Sequence, residues 1–236
     1  MNNITELPLD LHHSIKHSPW YFTDSKDWFE MFNDVPIKSF EKNQIVFRQG
    51  DPLNFVYLVK EGRVRTTISD DKGQEKTVLI FSAGTILGGE SAVKRSPYGV
   101  TAITNNECIL ACMPFEDFLK RIEESHHLTL KVSHYLAELL MRVTYQIKEV
   151  SFLNSDERVI AHLLKLADRF GLQTESGIKI SIPFTHQEMA DLIAVSRVSV
   201  SRIMSVLSKE GILERKNGYF YIKDKAALLS SYVNSK

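Results

Sequence analysis

Between residues 37 and 113 apolar and polar residues alternate in short runs, and from Leu128 onward apolar residues recur at helical spacing instead. The alternating runs, 44–48, 55–59, 64–69, 77–81, 99–104 and 108–113, are separated by Gly50-Asp51-Pro52, Glu61-Gly62, Asp70-Asp71-Lys72-Gly73, Ser82-Ala83-Gly84 and Asn105-Asn106. Strands of about five residues cut by turn residues predict an antiparallel β-roll or barrel, large enough to enclose a pocket. Upstream lie two aromatic clusters, Trp20-Tyr21-Phe22 and Trp28-Phe29 with Phe32. The second suits a short amphipathic helix capped by Asp24 or Ser25, whereas the first dozen residues read as loose.

Downstream of the roll, Pro114 opens a helix over 114–123 and Ser125 begins a longer one. Leu128, Val132, Tyr135, Leu139, Val143, Gln146 and Val150 follow one another at spacings of three and four. That is a coiled-coil seam over about 26 residues, or roughly 39 Å. A second stripe, Leu130, Leu136, Leu140 and Ile147, occupies an adjoining face, so one stripe can pack on the roll and the other on a second copy. Lys131, His134, Glu138, Arg142 and Lys148 argue against burial all round, and a homodimer through the first stripe is the expectation.

Asn154-Ser155-Asp156 breaks the pattern and caps a helix over 156–170, ended by Gly171. A polar loop over 173–177 and a strand over 178–182 follow. The domains expected are an N-terminal extension and roll (1–113), connecting and dimerisation helices (114–153) and a C-terminal domain (154–236), with Asn154-Ser155 as hinge.

The last domain carries the most specific pattern. Thr185 and Glu188 make a capping box for a helix through Met189, Ala190, Leu192 and Ile193. After the link Ala194-Val195-Ser196, Ser196 caps a second helix that runs through Glu210 and closes at Gly211. Val200, Ile203, Met204 and Leu207 face inward on it. Arg197, Val198, Ser201 and Arg202 face outward at its N-terminal end, where a recognition helix meets base edges in the major groove. Ile212-Leu213 and residues 219–222 read as strands around Arg215-Lys216-Asn217-Gly218, a basic-tipped wing. An ordinary helical hairpin with solvated charges is the alternative, but it needs no guanidinium and small polar side chains clustered at the start of its second helix. The predicted DNA-binding residues are Arg197, Val198, Ser199, Ser201, Arg202, Thr185, His186 and Lys216.

Charge supports the placement. The chain as a whole is neutral, with 29 basic and 29 acidic residues, yet from Ile182 onward eight Lys or Arg stand against five Asp or Glu. No apolar run approaches a membrane span and the first residues lack signal-peptide order, so a cytoplasmic protein with no membrane partner is expected. Cys108 and Cys112 cannot complete a metal site alone and read as buried thiols on one strand; the histidines read as surface residues. No nucleophile–base–acid set, phosphate loop or metal-ligand spacing appears, which argues against the alternative of an enzyme with a regulatory nucleotide-binding roll and leaves no cofactor signature; the other alternative is an effector-independent regulator whose roll is a dimer scaffold. The Gly84 to Ala92 segment admits two readings. Its amides could cradle an anion with Glu90 accepting from a ligand hydroxyl, or its glycines could serve a barrel corner.

Roll, long helix and winged helix-turn-helix in this order resemble the cyclic-AMP receptor protein and FNR superfamily of bacterial transcription regulators. The resemblance covers about residues 36–225. In the roll it rests on Gln49-Gly50-Asp51-Pro52, Tyr57-Leu58, Glu61-Gly62-Arg63-Val64, Gly73, Gly84, Gly89-Glu90 and Thr101-Ala102; in the C-terminal domain, on Thr185, Gln187-Glu188-Met189-Ala190, Ser196-Arg197, Val200-Ser201-Arg202 and Gly211-Ile212. It implies an α+β fold with a cyclic-nucleotide-binding-like jelly roll, a homodimer, double-stranded DNA and RNA polymerase as partners, and an unidentified small-molecule effector between roll and long helix. The effector candidates are Gly89, Glu90, Ser91, Lys94, Arg95, Tyr98, Lys131 and Tyr135. Two departures qualify it. Where cyclic-nucleotide-binding members place an arginine ten residues after the Gly-Glu glutamate, this chain has Val100, which argues against cyclic AMP. Where the best-known branches carry a base-reading glutamate, it has Val198, as the halorespiration regulators do; their pocket lysine, however, is Glu90 here. Valine can cover a thymine methyl, so A/T-rich inverted half-sites are expected.

Overall fold

Each alternating run forms a strand in the computed structural model, which describes residues 9–21 and 26–234. The chain opens with α1 (Leu9–Lys16), β1 (Trp20–Tyr21) and α2 (Lys26–Met31). The roll follows as β2 (Ile37–Phe40), β3 (Ile45–Phe47), β4 (Phe55–Glu61), β5 (Arg63–Ser69), β6 (Glu75–Ser82), β7 (Ile86–Leu87), α3 (Gly89–Lys94), β8 (Thr101–Thr104) and β9 (Cys108–Pro114). Next come α4 (Phe115–Glu123) and α5 (His126–Phe152). The C-terminal part comprises α6 (Ser155–Phe170), β10 (Gly171–Thr174), β11 (Gly177–Ile180), α7 (His186–Ile193), α8 (Arg197–Lys209), β12 (Leu213–Lys216), β13 (Tyr219–Ile222) and α9 (Lys225–Asn234). Two compact units result: Pro19–Met141, and residues up to Ser18 together with Arg142 onward.

In the first unit two sheets, ordered β1-β6-β5-β8-β3 and β2-β9-β4-β7, enclose the roll core. Val56, Leu58, Val64, Ile86, Leu110 and Met113 are fully buried there, and β4 and β9 are covered on both faces, with residues 56–59 and 110–113 buried without alternation. The β4–β5 corner depends on Gly62, whose φ is +89° and where an added Cβ would lie 2.4 Å from the Glu107 carbonyl and 2.5 Å from Cys108 Sγ. Cys108 and Cys112 are buried and free, and burial pushes both thiols up, away from the thiolate form.

Some expectations need correction. Residues 37–40 and 86–87 are strands, and β1 pairs with β6 in parallel, unlike its antiparallel neighbours. The first dozen residues are not loose throughout, since α1 begins at Leu9; residues 1–8, with Phe22 and the cap candidates Asp24 and Ser25, lie outside the described residues. Gln173 and Thr174 belong to a hairpin strand rather than a loop. His162, at 2 % exposure, is not a surface residue.

The long helix distributes its stripes differently from expectation. Val132 and Tyr135 are buried, and Leu128, Leu136 and Leu139 pack half-buried against the roll core. Much of the first stripe is therefore engaged by the roll. The face left to solvent carries Leu130, Ser133, Ala137, Leu140, Thr144, Ile147 and Ser151, again at alternating spacings of three and four. Arg142, expected on a solvated face, is 6 % exposed, and its Nη1 donates to the Ser18 carbonyl.

In the second unit α6 is the central helix, packed against α1, α7, α8, α9 and β11. Val159, Leu163, Leu164 and Leu166 are essentially inaccessible. Lys165 is 1 % exposed beside them and is paired with Glu149 of α5, which also accepts from the Ser14 hydroxyl of α1. The four-stranded sheet β10-β11-β13-β12 carries the wing, whose turn residues Asn217 and Gly218 take φ of +53° and +82°, the type I′ requirement.

Candidate functional site

Local chemistry builds the helix-turn-helix. Thr185 Oγ1 accepts from the Glu188 amide at 3.1 Å while the Glu188 carboxylate accepts from the Thr185 amide at 2.7 Å, so α7 starts on a complete capping box. The turn passes through Ala194 at φ +55°, a left-handed position for a non-glycine residue. Arg158 of α6 compensates: its Nη1 donates to the Ile193 and Ala194 carbonyls at 3.1 and 3.0 Å, supplying positive charge to the C-terminal end of α7. No local spacing in the sequence announces this contact, because 35 residues separate Arg158 from Ile193.

Ser196 then caps α8, its hydroxyl accepting from the Ser199 amide at 2.9 Å. Val200, Ile203, Met204 and Leu207 are at most 3 % exposed. On the opposite face Arg197, Val198, Ser201 and Arg202 are all exposed, Val198 to 78 %. A valine so open on the first turn of a helix covers nothing within its own chain. Beside α8, His186 stacks on Phe220, and Arg215 lies over the same ring at 5.4 Å. Burial pushes the His186 imidazole below its ordinary value, with Arg215 and then Arg197 adding to the effect, which keeps it neutral near pH 7. Thr185, His186, Arg197 and Arg215 thus share one surface with the exposed face of α8. Arg215 was missing from the sequence-predicted site residues, although its place in the basic wing turn is the signal that could have found it. Lys216 is exposed at the end of β12, and Arg202 is held by a partner, its Nη2 lying 2.6 Å from Asp156 Oδ1.

The roll brings together only part of the predicted effector set. Glu90 Oε2 accepts from the Tyr135 hydroxyl at 2.9 Å, joining α3 to α5, and the Ser91 hydroxyl reaches Glu90 Oε1 at 3.4 Å. Burial, then the Glu90 charge, raises the Tyr135 phenol well above its ordinary value, so it remains a donor. Tyr98 is buried: its ring stacks on Phe47 with centroids 3.9 Å apart, and its hydroxyl donates to the Phe55 carbonyl at 2.6 Å. An added Cβ on Gly88 would lie 3.0 Å from the Tyr98 ring, and one on Gly89 3.1 Å from that of Tyr135. This close packing of Gly88 and Gly89 on aromatic rings fits structural glycines at a barrel corner.

Lys131 points elsewhere, paired with Asp27 at 2.7 Å. Hydrogen bonds from Lys131 and then His127 hold the Asp27 carboxyl at about 2. Arg95 lies 3.8 Å from Glu123, and Lys94 is exposed. Val100, which stands where cyclic-nucleotide-binding members place an arginine, packs half-buried against the roll core.

Comparison with known proteins agrees with this division of the chain. Residues 37–125 match the cyclic nucleotide-binding domain, and residues 157–231 match the Crp-like helix-turn-helix domain. The global nitrogen regulator of a Synechocystis species is 24 % identical over 199 residues, 84 % of this chain and 88 % of that protein. The cyclic AMP receptor protein of Thermus thermophilus is 27 % identical over 183 residues, 78 % of this chain and 82 % of that one. Among solved structures, the c-di-GMP responsive global regulator CLP of Xanthomonas campestris superposes with a TM-score of 0.73 at 20 % identity, over 84 % of this chain and 98 % of that chain.

Proposed function

Because the chain belongs to the cyclic-AMP receptor protein and FNR superfamily of bacterial transcription regulators, we propose that it binds A/T-rich inverted repeats as a homodimer under the control of a small effector. The observation that carries this reading is the divided recognition helix: four apolar residues buried on one face of α8, and Arg197, Val198, Ser201 and Arg202 exposed on the other. Arg202 reads a base edge, with guanine O6 and N7 as its best acceptors, and Arg197 contacts base or phosphate. Thr185, His186, Ser199, Arg215 and Lys216 add polar and basic contacts around it. Dimerisation uses the exposed stripe of α5, a continuous seam at coiled-coil spacing that a second copy covers by two-fold symmetry. RNA polymerase is the partner through which a regulator of this kind acts on transcription.

Val198 makes the reading testable. Valine offers a thymine methyl an apolar surface and no acceptor, whereas glutamate accepts from the cytosine amino group. Val198→Glu is expected to move the preferred base pair at that step from A·T to G·C in a competition assay with single-pair duplex variants. An unchanged preference would mean that Val198 does not face the bases.

The effector acts at the Glu90–Tyr135 contact, the direct hydrogen bond between α3 and the long helix among the predicted residues. A ligand donor that takes the Glu90 carboxylate releases Tyr135, and it shifts the equilibrium only as far as its affinity differs between the two arrangements. Proteins similar to this chain are named for nitrogen regulation, cyclic AMP and c-di-GMP, so the likeness does not define the ligand. Cyclic AMP is disfavoured here, because half-buried Val100 offers its phosphate no charge. Loss of a charge-assisted hydrogen bond costs about 2 kcal/mol or more, roughly thirtyfold in affinity. Titration calorimetry is expected to give cyclic AMP binding weaker than low micromolar; tighter binding would place another cation, Lys94 or Arg95, against the phosphate.

A further inference from the structure

We infer that Asp156 is a specificity-determining residue, whose carboxylate orients the Arg202 guanidinium for its base contact. This rests on α8 being the helix that enters the groove. Asp156 Oδ1 meets Arg202 Nη2 at 2.6 Å across the space between the first turn of α6 and the exposed face of α8. Asn154, Ser155, Asp156, Ser199 and Arg202 surround a polar hollow of about 470 Å³ at this point.

The two partners differ in stiffness. Asp156 has a short side chain on a fixed backbone: Asn154 Oδ1 accepts from the Asp156 and Glu157 amides at 2.9 and 3.0 Å, completing a capping box with Glu157. An acidic residue in a first helical turn is also favoured by the helix dipole. Arg202, by contrast, is a long side chain with much rotamer freedom to lose. Both side chains are about half exposed, and an ion pair so open to water adds little to stability. What it supplies is direction. A single bond through Nη2 leaves Nη1, Nε and the second Nη2 hydrogen available to a guanine edge, while the carboxylate holds the guanidinium plane.

Asp156 also carries negative charge on a surface that must approach phosphates. It therefore opposes sequence-independent binding, which depends on net positive charge, at the same time as it favours one orientation of Arg202. Specificity rises on both counts. Nothing in the local sequence points to this pairing, since 46 residues separate the two.

The test compares wild type, Asp156→Asn, Asp156→Glu, Arg202→Ala and the Asp156→Asn/Arg202→Ala double variant by fluorescence anisotropy. The probes are the wild type's selected duplex, single-pair variants of it and a scrambled duplex, at several salt concentrations. Arg202→Ala identifies the base pair that this arginine reads. Asp156→Asn is expected to lose roughly five- to tenfold of the discrimination at that pair, part of what a bidentate contact provides. It should also bind the scrambled duplex more tightly with a steeper salt dependence. Asp156→Glu, which keeps the charge, should retain part of the discrimination, and the double variant should discriminate no less than Arg202→Ala alone. Wild-type discrimination in Asp156→Asn, with Arg202→Ala relaxed, would overturn the role of Asp156. If Arg202→Ala relaxes no base pair, the base-reading role of Arg202 fails first and this inference with it. Thermal melting at wild-type temperature confirms that each variant is folded, and Asp156→Ser serves if Asp156→Asn is not.

Discussion

Sedimentation of the Leu140→Glu/Ile147→Glu double variant is expected to give a monomer, with DNA affinity for an inverted repeat reduced about a hundredfold or more. Leu140 is 67 % exposed and Ile147 63 %, far more open than apolar residues on the roll-facing side of the same helix. Covering a leucine or isoleucine side chain contributes about 1.5 to 3 kcal/mol, and two-fold symmetry counts each position twice. With about two-thirds of each side chain left to cover, the four together account for roughly 4 to 8 kcal/mol, a large share of what must offset the cost of association. Glutamates would remove that gain and set like charges against each other across the seam. DNA binding falls with them because an inverted repeat is held tightly only when both half-sites are engaged at once. Leu139→Glu/Val143→Glu should behave differently: Leu139 packs against the roll core, so charge there lowers the roll's stability as well. An L140E/I147E variant that remains a dimer would place the interface elsewhere.

The second large effect is on stability and lies far from DNA. Glu149→Ala is expected to destabilise the C-terminal unit by about 3 to 5 kcal/mol, the usual cost of leaving a buried charge without its partner. Lys165 is effectively inaccessible, and burial already lowers its pKa despite the favourable Glu149 charge. Because the folded pKa is depressed, the ammonium costs stability below the unfolded value of about 10.4, and Glu149 offsets part of that cost at neutral pH. The double variant Glu149→Gln/Lys165→Met should recover most of the loss, since removing both charges removes the desolvation problem. Urea unfolding of the three proteins checks this. A single variant as stable as wild type would mean that water reaches Lys165.

How far the sequence leads depends on the range of the interaction. The capping box at Thr185, the Ser196 cap, the Asn-Gly wing turn and the inward face of α8 are set by residues a few positions apart, and all were legible. Strand alternation revealed the roll but not β1, because Trp20-Tyr21 is too short to alternate. Two stripes of α5 have the same periodicity, so spacing alone could not decide which packs on the roll. Packing of Val132 and Tyr135 decides it. Lys131 lies on the long helix one turn from Tyr135, a spacing that suits the effector set, yet Asp27 claims it. Arg158 and Asp156 entered the site through contacts across tens of residues, which no local pattern encodes, whereas Arg215 lies in the wing hairpin five residues from the Phe220 ring it covers.

The most direct measurement of the central claim is selection of bound duplexes from a random library by the wild-type protein, with and without cell extract. The account predicts one enriched sequence class: two A/T-rich half-sites in inverted orientation, with centres about 10 base pairs apart, one helical turn. Enrichment of no sequence, of an unpaired half-site, or of G·C at the step facing Val198 would contradict it.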